Sequence, residues 1–207
     1  MFKNIISVSV IIGLLFIFSC RITKSTQNIV PETKLEVRDE TFPKNIILMI
    51  GDGMGLTQIS AGMYKNKNQF SLESFPVIGL QKTSSADSLI TDSAASATAF
   101  SIGIKTKNGF LGVDSSGKSH LTILEEATLR GLATGLITTT SIVHATPAAF
   151  VAHQTNRDKY ESIAIDMMDV DFNLLIGGGK KYFERRKSDS FNLINLLSAK
   201  GYLVKDY

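Results

Sequence analysis

The chain has 207 residues, 43% of them hydrophobic and 20% charged, which is ordinary for a globular protein with a buried core and excludes a disordered tail. The formal net charge is +3. Because the basic residues are scattered and not clustered, the sequence has no footprint of nucleic-acid binding.

The first twenty residues have the layout of an export signal. Lys3 supplies a short positive end, and the mostly apolar run 5–18 is too short to span a bilayer, which takes about 20 apolar residues. Residues 17–20 are similar to a bacterial lipoprotein cleavage box ending at Cys20, the only cysteine, so no intramolecular disulfide is possible. We predict a lipoprotein signal over residues 1–20, with a membrane-anchoring lipid on Cys20 in a bacterial envelope or periplasm. An uncleaved anchor and a plain signal cut nearby are the alternatives.

Residues 21–44 are polar and predict a tether between the membrane and a folded domain over residues 45–207. The apolar run 46–50 predicts a central parallel strand buried on both faces. In open α/β sheets, ligands bind at the carboxyl ends of strands. Asp52, two residues beyond this run, therefore lies where a functional site is expected.

Helices and strands are predicted to alternate along the rest of the chain. Helices are predicted over residues 56–64, 94–102, 122–129, 160–168 and 191–199, and strands over 77–81, 134–140 and 172–176. Residues 105–118, rich in Gly, Asp, Ser and Lys, predict an exposed turn or hairpin. The alternation predicts a three-layer αβα fold of the α/β class with a largely parallel central sheet.

An acid and a hydroxyl, Asp92 and Ser93, immediately precede the small residues of the predicted helix 94–102. A helix N-terminus exposes unpaired backbone N–H groups and carries about half a positive charge, so a serine there can receive a phosphate or a developing anion. Ser93 is therefore a candidate nucleophile. The alternative is an ordinary Asp or Ser N-cap.

His144 and Thr146 follow the predicted strand 134–140 and stand two residues apart. In an extended chain, side chains at i and i+2 point the same way, so both can face one ion. Pro147 favours a helix that begins directly after the pair. In the alternative interpretation, Thr146 caps that helix and His144 is a packed loop histidine.

Arg157 follows a predicted helix over residues 147–154. A planar guanidinium can hold phosphate through two parallel hydrogen bonds, although many such arginines are only solvated surface residues. His153, inside that helix, is predicted to be packed or exposed and not to bind a metal. His120 receives no role.

Three stretches in this order resemble the alkaline phosphatases. They are the Gly-Asp-Gly-Met-Gly turn within residues 45–55, the Thr-Asp-Ser-Ala-Ala-Ser-Ala-Thr-Ala segment within 91–100, and His-Ala-Thr-Pro-Ala-Ala followed by a histidine and an arginine within 138–157. The resemblance extends from about residue 45 to the end of the chain. It implies hydrolysis of phosphate monoesters through a phosphoserine on Ser93, with Asp92 orienting the phosphate-binding Arg157.

The same resemblance implies two zinc ions and one magnesium ion per site in full-length members. Asp52 would bridge magnesium and zinc, Ser93 would be a zinc ligand, and His144 and Thr146 would help to hold magnesium. The chain has three histidines, none beyond position 153, whereas a zinc site needs three or four protein ligands.

The shortage of ligands predicts the N-terminal half of an alkaline phosphatase, with activity near background for the 207-residue chain by itself. The sequence leaves open whether the full-length protein forms a homodimer. Two other hypotheses are a related phosphodiesterase or sulfatase of the same superfamily, and a non-catalytic envelope lipoprotein that keeps the fold.

Overall fold

The structure is a computed structural model that describes residues 43–206. The predicted signal, most of the predicted tether and Cys20 lie outside these residues. By its contacts the chain divides after Leu48, and every helix and strand described below belongs to the unit that begins at Met49. Among the helices of residues 43–206, none combines the length and the apolar character needed to cross a membrane.

The helices lie close to where the sequence predicts them, but only two of the four predicted strands form in the described residues, so the predicted alternation is incomplete. In the described part of the chain they are α1 (Leu56–Lys65), α2 (Ser93–Ile102), α3 (Ile123–Leu129), β1 (Gly135–Ser141), α4 (Ala145–Ala148), α5 (Tyr160–Asp166), β2 (Leu174–Gly178), α6 (Lys181–Glu184) and α7 (Leu193–Ala199). Short 3-10 turns cover Ser71–Ser74 and Met167–Asp169.

Strands β1 and β2 are parallel, with Gly135 opposite Leu174 and Ile137 opposite Ile176. Parallel strands need a crossover connection, which α4 and α5 provide here. Gly177 allows the strands to approach closely, because a Cβ at this position would lie 2.7 Å from Thr138 Cγ2. The predicted α/β class with a parallel sheet is confirmed, and within the described residues this sheet has two strands.

The buried core is formed mainly by α2, residues 142–152 and α5. Small residues line α2, so that this helix packs closely against α4. The fully buried larger apolar side chains are Leu111, Val113, Val143, Val151, Ile163 and Met167. Burying a side chain of this size contributes about 1.5–3 kcal/mol, so the core fixes the segments that flank α2 and α4.

Two predicted strands are wrong for the described structure. Residues 46–50 and 77–81 adopt no strand, and Ile47, Met49 and Val77 are 84–86% exposed. A strand is held by pairing with a neighbour and by cover on its faces. The residues described here provide neither for these two runs, so their apolar character alone does not make them strands.

Two further predictions need correction. The predicted exposed segment 105–118 contains a turn at Asp114–Gly117, but Leu111 and Val113 within it are completely buried. The predicted helix 147–154 begins earlier and is shorter, because α4 begins at Ala145 and ends at Ala148, and the chain then pairs through Gln154 with Leu111. Thr146 thus lies within α4 and not in an extended segment before it. The ends of the other predicted helices and strands that form differ from prediction by at most two residues.

Candidate active site

Asp92 is the N-cap of α2, and Ser93 is its first residue. Asp92 Oδ1 accepts a hydrogen bond from the backbone N of Ala95 at 2.9 Å, which satisfies one of the free donors of the first turn. The acid therefore caps the helix. The Ser93 hydroxyl takes no part in the cap and lies at the positive end of α2.

The second oxygen of Asp92 connects the helix to two distant segments. Asp92 Oδ2 accepts from the backbone N of Gly109 at 2.9 Å and from Arg157 Nη1 at 3.0 Å. The backbone N of Asp92 donates to Asn108 Oδ1 at 3.0 Å, and Asn108 Nδ2 donates to the carbonyl of Ile90. Sequence reasoning missed Asn108. The Asn-Gly dipeptide indicates a turn there, but nothing local relates it to a residue sixteen positions earlier.

Arg157 is not a solvated surface residue, because its side chain is only 23% exposed and its guanidinium contacts three side chains. Besides Asp92, Nη1 lies 3.4 Å from Ser93 Oγ, and Nη2 lies 3.4 Å from His144 Nε2. A guanidinium can only donate, so His144 Nε2 faces it as an acceptor. We call Asp92, Ser93 and Arg157 the serine side of the site.

Asp52 and Thr146 meet although 94 residues separate them. Thr146 Oγ1 donates to Asp52 Oδ2 at 2.7 Å. Asp52 is exposed and lies on a turn closed by a hydrogen bond from Met54 N to Gly51 O, with Gly53 at a φ of +70°. The N-cap position of α4 belongs to His144, so the alternative in which Thr146 caps the helix is wrong. We call Asp52 and Thr146 the turn side.

The two sides meet at α4, because His144, which contacts Arg157, and Thr146, which contacts Asp52, are two residues apart. The structure thus brings together the six site residues that the sequence predicts, which are Asp52, Asp92, Ser93, His144, Thr146 and Arg157.

The oxygen donors of the turn side suit magnesium better than zinc. Mg²⁺ is commonly held by one or two carboxylates together with water, which Asp52 and the hydroxyl of Thr146 fit. Zinc takes three or four protein ligands. Within residues 43–206, no three His, Cys, Asp or Glu side chains are grouped so that they could hold an ion.

His153, four residues before Arg157, is neither a free surface residue nor simply packed. Its Nδ1 lies 2.9 Å from the carbonyl O of Gly112, and its Nε2 lies 2.9 Å from Glu125 Oε1. The hydrogen bond with Glu125 raises the pKa of His153 above its ordinary 6.5, although burial opposes this.

Glu125 belongs to the same arrangement. Burial raises the pKa of Glu125, but hydrogen bonds from His153 and from the backbone N of Thr122 outweigh burial and bring it below its ordinary 4.5. Thr122 and Glu125 form the capping box of α3. The Thr-x-x-Glu spacing of such a box is a signal by which the sequence could have indicated Glu125, but not its contact with His153.

The chain matches the profile of the family described as "Alkaline phosphatase" over residues 43–193. Alkaline phosphatase 3 of Bacillus subtilis is 41% identical over 177 residues, which cover 79% of this chain and 38% of the relative. The alkaline phosphatase of Escherichia coli is 40% identical over 174 residues, which cover 68% and 36%.

Solved structures of alkaline phosphatases also resemble this chain. The alkaline phosphatase of the Antarctic bacterium TAB5 is 44% identical and superimposes with a TM-score of 0.69 over 72% of this chain and 43% of that one. Two variants of that enzyme, with a histidine replaced by Asp or Glu, have Mg bound in its M3 site. The chain thus spans about two fifths of the length of the relatives it matches.

Proposed function

The chain belongs to the alkaline phosphatase family, and we propose that it provides the nucleophile and the phosphate-binding arginine of a phosphomonoester hydrolase. The proposed activity is that of the intact protein, by which we mean a protein of the relatives' length that carries this sequence. The observation that carries the proposal is the contact of Arg157 with both Asp92 and Ser93 at the N-terminus of α2.

In the proposed reaction, Ser93 Oγ attacks the phosphorus in line with the ester oxygen. The P–O bond of the ester breaks, the leaving oxygen takes the bonding electrons and accepts the proton given up by the Ser93 hydroxyl, so that an alcohol departs and Ser93 becomes phosphoserine. Water then attacks the phosphoserine, which releases inorganic phosphate and restores the Ser93 hydroxyl. Such transfers gain most of their acceleration from positioning and charge stabilisation.

Arg157 supplies positive charge to the phosphoryl oxygens. Its Nη1 is already directed at Asp92 and Ser93, so the guanidinium is oriented before the ester arrives. Charge-assisted, bidentate hydrogen bonds from arginine to phosphate are stronger than neutral ones. The N-terminus of α2 adds its own partial positive charge at Ser93.

We propose magnesium at the turn side, held by Asp52 and Thr146 with the imidazole of His144 nearby. When bound, this ion neutralises negative charge beside the phosphoryl group. Zinc does not fit the described residues, because Asp52 and Ser93 fall short of the three or four ligands that it needs. No step is therefore assigned to zinc.

A substrate comparison tests the proposed function. The intact protein is given p-nitrophenyl phosphate, bis-p-nitrophenyl phosphate and p-nitrophenyl sulfate, which release the same coloured product from a monoester, a diester and a sulfate ester. We expect the monoester to be hydrolysed at least about a hundredfold faster than the other two, a difference of about 2.7 kcal/mol in activation free energy. A preference for the diester or the sulfate would contradict the proposal.

Attachment to a bacterial membrane through a lipid on Cys20 is also a proposal, since it rests on residues 1–20 alone. Mass spectrometry of the mature N-terminus should show an acylated cysteine, and Cys20→Ser should release the protein from the membrane fraction. An unmodified residue 20 in the mature protein would contradict it.

A further inference from the structure

The segment that leads into Arg157 is held by an unusual number of hydrogen bonds. The backbone of Gln154 pairs with that of Leu111 through bonds of 2.8 and 3.0 Å. Asp166 Oδ2 accepts from the backbone N of His153 and from Gln154 Nε2, both at 2.9 Å. The ring of His153 adds its bonds to Gly112 and Glu125, so residues 153–154 are fixed from three directions.

The partners of His153 require a proton on each ring nitrogen. A backbone carbonyl and a carboxylate can only accept, so both contacts are hydrogen bonds only when Nδ1 and Nε2 each carry a proton, as in an imidazolium. If either proton were lost, one nitrogen lone pair would face an oxygen lone pair at 2.9 Å. The close approach on one side needs a glycine, because a Cβ on Gly112 would lie 2.7 Å from His153 Nδ1.

We propose that the ion pair between His153 and Glu125 is a positioning device for Arg157, and that removing the proton from His153 loosens the hold of Arg157 on a phosphoryl group. The choice of a phosphoryl group as the ligand of Arg157 rests on the proposed function, whereas the positioning of Arg157 by His153 does not. His153 touches no reacting atom and acts through the three residues that connect it to Arg157.

The surrounding charges support this assignment. The two carboxylates that face His153 are Glu125 from α3 and Asp166 from α5, and both stabilise the imidazolium. Glu125 is mostly buried, with 15% of its side chain exposed, so the pair is only partly screened by solvent. In contrast, the neighbouring Glu126 is 48% exposed and pairs with Arg130 on the surface of α3.

The experiment uses Glu125→Gln in the intact protein, with Glu126→Gln as the matched control. Three quantities are followed against pH: the titration of His153 by NMR of labelled histidine, the carbon-detected guanidinium signal of Arg157, and the Kd of inorganic phosphate by calorimetry. Because the ionisation of phosphate itself affects every variant alike, only differences between variants are interpreted.

At a pH where His153 is charged in the wild-type protein and neutral in Glu125→Gln, we expect the Kd of the variant to be about tenfold higher, which corresponds to about 1.4 kcal/mol of lost interaction. Removing the charge of Glu125 should move the titration of His153 to lower pH, because the partner that most stabilises the imidazolium is lost. The Arg157 signal and the rise in Kd should move with it, whereas Glu126→Gln should leave all three unchanged.

A titration of His153 that shifts in Glu125→Gln while the Arg157 signal and the Kd stay in place would overturn the inference. So would a wild-type His153 that is neutral below pH 6.5.

If Glu125→Gln does not fold, Asp166→Asn serves instead, since it also removes a facing charge and should cause a smaller shift of the same sign. A wild-type protein that binds no phosphate would contradict the proposed function, and the Arg157 signal would then decide the positioning claim separately.

Discussion

The serine side and the turn side of the site are built very differently. The helix that carries Ser93 is fixed to its surroundings by buried hydroxyls, with Ser101 Oγ donating to the carbonyl of Ala149 at 2.6 Å and Thr98 Oγ1 donating to that of Phe110. On the turn side, Asp52 lies on an exposed turn, and its contact within residues 43–206 is the bond from Thr146.

The difference indicates which interactions hold the side chains of each side in place. Asp92 and Arg157 are oriented by interactions already present in the protein, so the serine side is preorganised for a phosphoryl group. The carboxylate of Asp52 meets one hydroxyl, which leaves oxygen lone pairs for a cation. We therefore expect changes on the serine side to act on the reaction itself, and changes on the turn side to act through the binding of an ion.

The largest expected effect is that of Ser93→Ala, which removes the nucleophile. Turnover of the intact protein should fall by several powers of ten, while its magnesium content changes little because Asp52 and Thr146 remain. Ser96→Ala is the matched control on the same helix, since within residues 43–206 the hydroxyl of Ser96 forms a hydrogen bond with Thr91 Oγ1 at 2.9 Å and none with the serine side. Equal turnover in the wild-type protein and Ser93→Ala would refute the nucleophile assignment.

Arg157→Ala should have the next largest effect. A hydrogen bond to a charged group contributes about 1.5–3 kcal/mol, so losing even one of the two bonds of a bidentate contact should raise the Kd of inorganic phosphate by about tenfold to about 150-fold. Arg157→Lys should recover only part of the affinity, because an ammonium cannot form the paired geometry. Full recovery with lysine would show that charge alone is needed.

On the turn side, Asp52→Asn should weaken the binding of magnesium by at least about tenfold, and Thr146→Val by less. Magnesium should raise the thermal midpoint of the wild-type intact protein, as any ligand of the native state does, and should raise that of Asp52→Asn less. Asp169→Asn, which removes an exposed carboxylate from another part of the fold, is the control. A similar magnesium response in all three proteins would place the ion elsewhere.

The smallest expected effect is on the pH dependence of stability. The raised pKa of His153 makes the ion pair fully stabilising below pH 6.5 and progressively weaker as pH rises through the raised value. The lowered pKa of Glu125 makes the pair fully stabilising above pH 4.5 and weaker as pH falls below it.

The pair therefore contributes most between pH 4.5 and 6.5. Glu125→Gln should lower the free energy of unfolding in that window by about 1 kcal/mol, with a smaller loss at pH 9. Urea unfolding at the two pH values measures the difference. An equal loss at both would show that the ion pair contributes nothing beyond the packing of residue 125.

The sequence predicted the serine side well because its signals are local. An acid directly before a run of small residues is enough to indicate the capped start of α2, and the resemblance of the motifs placed Arg157 near it. The contacts of Asn108 and His153 depend on residues 13 to 41 positions away along the chain. No periodicity or spacing within one element encodes such distances.

The failed strand predictions at 46–50 and 77–81 have a different cause. An apolar run shows that a segment is suited to burial, but partners elsewhere in the polypeptide decide whether it is buried. The strands predicted over 134–140 and 172–176 do form, as β1 and β2, with small errors at their ends. They form because each has the other as a pairing partner within the described residues.

The central claim, that Ser93 is phosphorylated during turnover, is tested most directly by trapping the intermediate. The intact protein is mixed with p-nitrophenyl phosphate at mildly acidic pH, quenched in strong acid, digested and analysed by mass spectrometry, with Ser93→Ala treated in parallel. The account predicts one added phosphoryl group on the peptide that contains Ser93, and none in the variant. A phosphoryl group on another residue, or turnover with no covalent intermediate on Ser93, would contradict it.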